Sequence, residues 1–399
     1  MVRALILGNT EPTPLFPAFL RQISLIFTAN KSTSMAKYIY QNQDWTNFTW
    51  QDQAINAVFG EVRHLQGKIS GQMSALGFPL KEEKQLDTLT LDVVKSSEIE
   101  GELLNYEKVR SSIARRLGMD VAGLVPSDRN VEGVVEMMLD ATQNYLQPLT
   151  EERLFGWHAA LFPTGWSGMY KIEVGKYRTG EMQVVSGAMG KEKTHFEAPP
   201  PQSVKPEMDK FLDWINGNTK IDPILMAAIA HFRFIIIHPF DDGNGRIARA
   251  VSDLLLARSE RSTERFYSMS SQILLERKKY YEVLQRVQYS NGDITEWLDW
   301  FLHCLKKALL ETEETLQKTL HKARFWKIHE HTPINERQRL LLNKLLDGFE
   351  GKLKSSKWAK IAKCSPDTAL RDIKDLMEKH ILRQEKQGGR STNYELVEF

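Results

Sequence analysis

His238-Pro239-Phe240-Asp241-Asp242-Gly243-Asn244-Gly245-Arg246-Ile247-Ala248-Arg249 places a proton acceptor, a carboxylate, two glycines around an asparagine, and two arginines within twelve residues. Apolar stretches of helical character flank it, Ile224 to Ile237 before and Ile247 to Ala257 after. A polar, glycine-bearing turn that opens a helix between two buried helices is a place for an anion.

Backbone N–H groups around Gly243, Asn244 and Gly245 can converge on a phosphate, because glycine tolerates positive φ and close approach. The helix starting near Arg246 adds its positive end. Arg246 and Arg249 stand three apart, so both guanidinium forks reach one side, and two phosphates explain them better than one. Asp242 beside such a nest would repel phosphate unless a divalent cation lay between them, and Mg²⁺ prefers a carboxylate plus phosphate oxygens. His238 is the group here that accepts a proton near neutral pH. Taken singly, each residue fits a structural turn. Together they point to phosphoryl or nucleotidyl transfer to a hydroxyl.

His238-Pro239-Phe240-x-Asp242-Gly243-Asn244-Gly245-Arg246-x-x-Arg249 resembles, without a gap, the signature of the Fic family. The resemblance covers about residues 85–305, within a core taken as 85–325. It implies a mainly α fold, a helical core with a β-hairpin flap, and transfer of AMP from ATP to a Ser, Thr or Tyr hydroxyl of a protein. It also implies roles. His238 would be the base, Asp242 the Mg²⁺ ligand and Phe240 the buried anchor of the loop. Gly243, Asn244, Gly245 and Arg246 would hold the α- and β-phosphates, and Arg249 the γ-phosphate.

Two further stretches agree with the resemblance. Ser96-x-x-x-Glu100-Gly101 is similar to the family's inhibitory motif, ahead of the core on a helix at about 85–101. Ser96 and Glu100 share a helix face. Glu100 paired with Arg249 would deny the γ-phosphate its partner. The hairpin expected over about 182–198, with Val184, Val185 and Ser186 in its first strand, matches the flap that aligns a target segment by strand addition. Tyr280 and Tyr281 are candidates for an adenine pocket, with core packing the equal alternative.

The 399 residues imply two or three domains. Residues 1–34 read as a disordered or upstream extension and 35–84 as an N-terminal helical domain. Helical spacing predicts helices over 51–74, 81–99, 131–145, 151–161, 271–288 and 294–322, and the stretch from 165 to 206 changes character, rich in glycine and ending in Pro199-Pro200-Pro201. Pro333 marks the last boundary. Three short helices and a basic hairpin beyond it follow the order of a winged helix-turn-helix, with Lys363, Arg371, Lys374, Lys379, Lys386 and Arg390 available to DNA phosphates. Asp367, Asp372, Asp375 and Glu378 share the third of those helices, so a protein-binding role stands level with DNA binding.

A formal charge of only +2, with 42% hydrophobic and 26% charged residues, is that of an ordinary globular chain rather than a polycation. Cys304 and Cys364 have neither metal-ligand spacing nor a disulfide framework, which suits reduced thiols in the cytoplasm. No apolar run reaches the ~18 residues of a membrane span. The expected cofactors are ATP and Mg²⁺, and the expected partner is a protein substrate, with self-modification and a homodimer left open. A DNA-binding regulator with a nucleotide-sensing core, a different nucleotide donor, and removal of AMP are the alternatives.

Overall fold

The computed structural model describes residues 38–74, 78–120, 123–186, 193–349, 351–385 and 392–399. The expectation for residues 1–34 lies outside that set, as do Lys386 and Arg390. The described chain is mainly helical and divides into two compact units, the first ending at Leu310 and the second starting at Glu311.

In the first unit, α1 (Asp52–Ser74) buries Ile55, Val58, Val62, Leu65, Ile69 and Met73, a stripe at spacings of three and four. Helix α2 (Phe78–Ile99) starts earlier than expected, because Pro79 falls in its first turn, where a missing N–H costs little. Then come α3 (Tyr106–Leu117), α4 (Arg129–Gln143) and α5 (Glu151–Leu161), capped at their N-termini by the side chains of Asn105, Asp128 and Thr150. A short ribbon, β1 (Trp166–Ser167) with β2 (Tyr170–Lys171), precedes the expected hairpin of β3 (Gln183–Ser186) and β4 (Lys193–Glu197).

Helix α6 (Pro201–Asn216) begins inside this proline-bearing stretch. Pro200 and Pro201 occupy the cap and first helical positions, which suit proline, and Val204, Met208, Phe211 and Ile215 then bury one face. Helix α7 (Pro223–Ile237) is capped by Asp222, which accepts from Ile224 N at 2.8 Å. It is largely apolar around its circumference, with His231 and Arg233 buried among apolar side chains, so Ile235-Ile236-Ile237 is helix rather than strand. Helix α8 (Asn244–Glu260) packs along it and is buried from Ile247 to Ala257. Glu276 breaks the expected helix over 271–288 into α9 (Met269–Leu275) and α10 (Arg277–Val287).

A buried ionic triad fixes α2 against α8. Arg265 donates to Asp253 Oδ1 of α8 at 2.5 Å and to Asp92 Oδ2 of α2. Asp92 also accepts from Ser268 Oγ at 2.6 Å. All three charged side chains lie within 2% of full burial. Burial pushes the Asp253 carboxyl up to about 7, against the pull of Arg265.

Helix α11 (Thr295–Ile328) contains the division between the units, which therefore falls before Pro333. The cause is apolar: Phe325 belongs to the core of the second unit with Leu341, Leu342, Trp358, Ile373 and Leu376. That unit continues through α12 (Glu336–Leu346), α13 (Ser355–Ile361), α14 (Pro366–Glu378) and the antiparallel pair β5 (Leu382–Gln384) and β6 (Tyr394–Leu396). No described helix is long and apolar enough to cross a membrane.

Candidate active site

The connection between α7 and α8 is built from side chains that close it on itself. His238 ends α7 in the left-handed region, at φ 50°. Asn244 accepts from Phe240 N at 3.0 Å and donates to Phe240 O at 2.7 Å, so its amide is spent on the loop's own backbone. Phe240 is fully buried and stacks on His158 with ring centroids 4.3 Å apart. Gly243 has φ 80°, and a Cβ there would stand 2.9 Å from the Phe162 ring, so both backbone and space require glycine.

His238 Nδ1 lies 3.2 Å from the carbonyl oxygen of Ile235. A carbonyl can only accept, so Nδ1 carries the proton and Nε2 presents a lone pair. Burial, aided by the nearby Arg178 guanidinium, lowers the imidazole pKa to about 4, against the opposing pull of Asp242 and Glu100. The ring is therefore neutral at physiological pH. Asp242 accepts from Gly243 N at 2.6 Å and from Ser167 Oγ. Among the described residues no three His, Cys, Asp or Glu side chains gather as an all-protein metal site. One carboxylate beside a phosphate cradle nevertheless fits Mg²⁺, which binds through few protein ligands and the substrate's oxygens.

The cradle is filled by the chain itself. Arg249, 2% exposed, donates from Nε to Ser96 Oγ at 2.8 Å and from Nη2 to Ser96 O at 2.9 Å and Glu100 Oε1 at 2.8 Å. Burial would raise the Glu100 pKa, yet the Arg249 guanidinium beside it holds the carboxyl below its ordinary range. Gly101, at φ 82°, turns the chain after α2, and Glu102 Oε2 then accepts from Arg246 Nη1 at 2.7 Å. Each arginine thus has its own carboxylate, two residues apart. A Cβ at Gly245 would fall 2.1 Å from Glu100 Oε1, so the carboxylate sits against the glycine backbone at the N-terminus of α8. Arg246 Nε and Arg249 Nη1 are buried donors without a partner, as expected of a site shaped for an anion with more oxygens than a carboxylate offers.

A model of the Fic/DOC family matches residues 148–256. The chain carries a Fic/DOC family domain. A second model, a domain of unknown function (DUF4172), matches residues 38–119 and so includes the α2 segment that reaches into the Fic site. Protein adenylyltransferase fic-1 of Caenorhabditis elegans is 37% identical over 90 residues, 22% of this chain and 16% of that protein. Protein adenylyltransferase Fic of Nematostella vectensis is 28% identical over 142 residues, 35% of this chain and 29% of that protein. The chain thus spans less than a third of the length of these curated relatives. The crystal structure of a Fic family protein from Desulfovibrio desulfuricans G20 superposes with a TM-score of 0.51 at 23% identity, over 86% of this chain and 96% of that one, and so shares the fold.

Within the Fic domain the motif residues His238, Asp242, Gly243, Asn244, Gly245, Arg246 and Arg249 come together with Ser96 and Glu100, as the sequence suggested. Tyr280 is buried, and its hydroxyl lies 2.9 Å from His231 Nε2, which fits the core-packing alternative. Tyr281, at 36% exposure with Arg277 over its ring, remains accessible. The β3–β4 hairpin expected to form the flap pairs Val184 with Phe196, Val185 with Thr194 and Ser186 with Lys193 across a bulge. The side chains of those three flap residues lie outside the described set. Sequence reasoning missed Glu102, His158, Ser167 and Arg178. Only Glu102 had a local signal, a second carboxylate just past the helix-ending Gly101.

Proposed function

We propose that the chain is an autoinhibited protein adenylyltransferase that moves AMP from Mg-ATP to a Ser, Thr or Tyr hydroxyl of a protein. The observation that carries this reading is the pairing of a neutral imidazole, protonated at Nδ1, with a glycine-lined helix N-terminus and two arginines each paired with a carboxylate of the chain itself. His238 Nε2 would take the proton of the target hydroxyl as its oxygen attacks the α-phosphorus. The bond to the bridging oxygen between α- and β-phosphorus breaks, and pyrophosphate leaves. Arg246, Arg249 and the backbone N–H groups of α8 would balance the charge gathering on the phosphate oxygens. Mg²⁺, held by Asp242 and those oxygens, would add further neutralisation.

Autoinhibition in this reading has two arms. Glu100 occupies Arg249 and the space above Gly245, and Glu102 occupies Arg246. The order of α12, α13, α14 and the β5–β6 pair supports a winged helix as a targeting appendage. A protein partner suits it better than DNA, because Lys379 is committed to Asp375 and to the Pro333 carbonyl.

Parallel incubations of Glu100→Gly with ATP labelled at the α- or the γ-phosphate test the reaction class. Label retained on protein from the α position alone is expected. Retention from the γ position would instead assign a kinase.

A further inference from the structure

We propose that Arg178 is a positioning residue that locks both ends of the β3–β4 hairpin to the backbone of His238, so that flap and base move as one piece. Arg178 is 2% exposed, and carbonyl oxygens from both sides of the hairpin and from the end of α7 converge on its guanidinium. Nε donates to His238 O at 2.7 Å, Nη1 to Gly180 O at 2.9 Å, and Nη2 to Pro199 O at 2.6 Å and Ile237 O at 3.5 Å. Its own backbone N–H donates to Pro239 O at 2.9 Å. Gly180 precedes β3 and Pro199 follows β4, and between them Ala198 N donates to Met182 O at 2.9 Å, closing the hairpin's base.

The chemistry explains why an arginine stands there. The last carbonyls of α7 have no helical donors, and that helix end carries partial negative charge that a cation complements. A planar fork with five N–H groups can span three chain segments, whereas an ammonium donates from a single point. The proposal rests on the transferase reading. There the flap sets the target hydroxyl and His238 removes its proton, so an error of about 1 Å between them costs on the order of 100-fold in rate. The nearby cation also pulls the His238 imidazole pKa down, with Asp242 and Glu100 opposing it, and so favours the neutral ring.

Arg178→Gln and Arg178→Lys, each made in the Glu100→Gly full-length protein, test this. For Arg178→Gln, self-labelling turnover should fall roughly 100-fold, with ATP affinity within about twofold of the parent and the acid limb of the rate moved to higher pH. Arg178→Lys should keep the acid limb yet still lose turnover. Hydrogen exchange gives a readout that needs no activity. The amides of Ala198 and His238 should lose protection together in Arg178→Lys, the variant that decides if Arg178→Gln does not fold. Unchanged turnover, a parallel loss of ATP affinity, or loosening of one amide without the other would overturn the proposal. A parent that labels nothing would sink the transferase reading alone, leaving the exchange result to judge Arg178.

Discussion

Arg249 Nη2 donates to Glu100 Oε1 at 2.8 Å across a sequence separation of 149 residues. The same segment sends Glu102 to Arg246 at 2.7 Å, with the left-handed Gly101 between the two carboxylates. One short turn after α2 therefore answers both arginines at the start of α8.

The two arms should be separable by nucleotide affinity. Coupling of about 1–3 kcal/mol corresponds to roughly 5- to 150-fold, so Glu100→Gly should tighten Mg-ATP binding within that range. Glu102→Ala added to it should tighten binding further, because Arg246 is then also released. Calorimetric titration of the single and double variants checks this. A Glu102→Ala change without effect in either background would reduce the second arm to a surface contact.

His238→Ala in the Glu100→Gly protein should lower transfer by about 10²–10⁴-fold, the usual worth of a positioned base. ATP affinity should hold, since no phosphate-binding group is removed. Filter binding beside a labelling time course separates the two quantities.

Stability should fall as pH drops from about 6.5 toward 4. Burial lowers the pKa of His158 to about 4 and that of His231 to about 3. The unfolded chain takes up those protons near pH 6.5, so over this window it binds more protons than the folded one. Each histidine then contributes up to about 1.4 kcal/mol of lost stability per pH unit. Urea midpoints at pH 7 and pH 5 should differ accordingly, and His231→Asn should shrink the difference. A gap unchanged by that substitution would place the titration elsewhere.

Asp92→Ala leaves the buried Arg265 short of a carboxylate and Ser268 without its acceptor. Removal of one partner from a buried ionic group costs about 3–5 kcal/mol. Chemical denaturation of Asp92→Ala should show a loss of that size, and an unchanged midpoint would mean that α2 is held by its apolar face alone.

Much of the site was legible because its chemistry is local. The glycines, the arginines three apart and the helix-ending histidine follow from spacing within one loop, and the Ser96–Glu100 pair from one helical turn. The limits of α5 and the Asp222 cap of α7 were equally plain, since helix signals act over a few residues. What stayed hidden depends on tertiary partners. Arg178 resembles any surface arginine until three chain segments meet at it, and His158 any helical histidine until Phe240 stacks on it. Tyr280 could not be told from a pocket residue without His231 beside its hydroxyl. The proline run before α6 hid the helix start, because proline both breaks helices and begins them.

Covalent incorporation of α-labelled AMP tests the central claim most directly, with wild-type, Glu100→Gly and Glu100→Gly/His238→Ala proteins compared in one Mg-ATP time course. The account predicts strong labelling from Glu100→Gly, little from wild type, and from the double variant about 10²–10⁴-fold less than from Glu100→Gly. Equal labelling of wild type and Glu100→Gly, or labelling undiminished by the loss of His238, would contradict it.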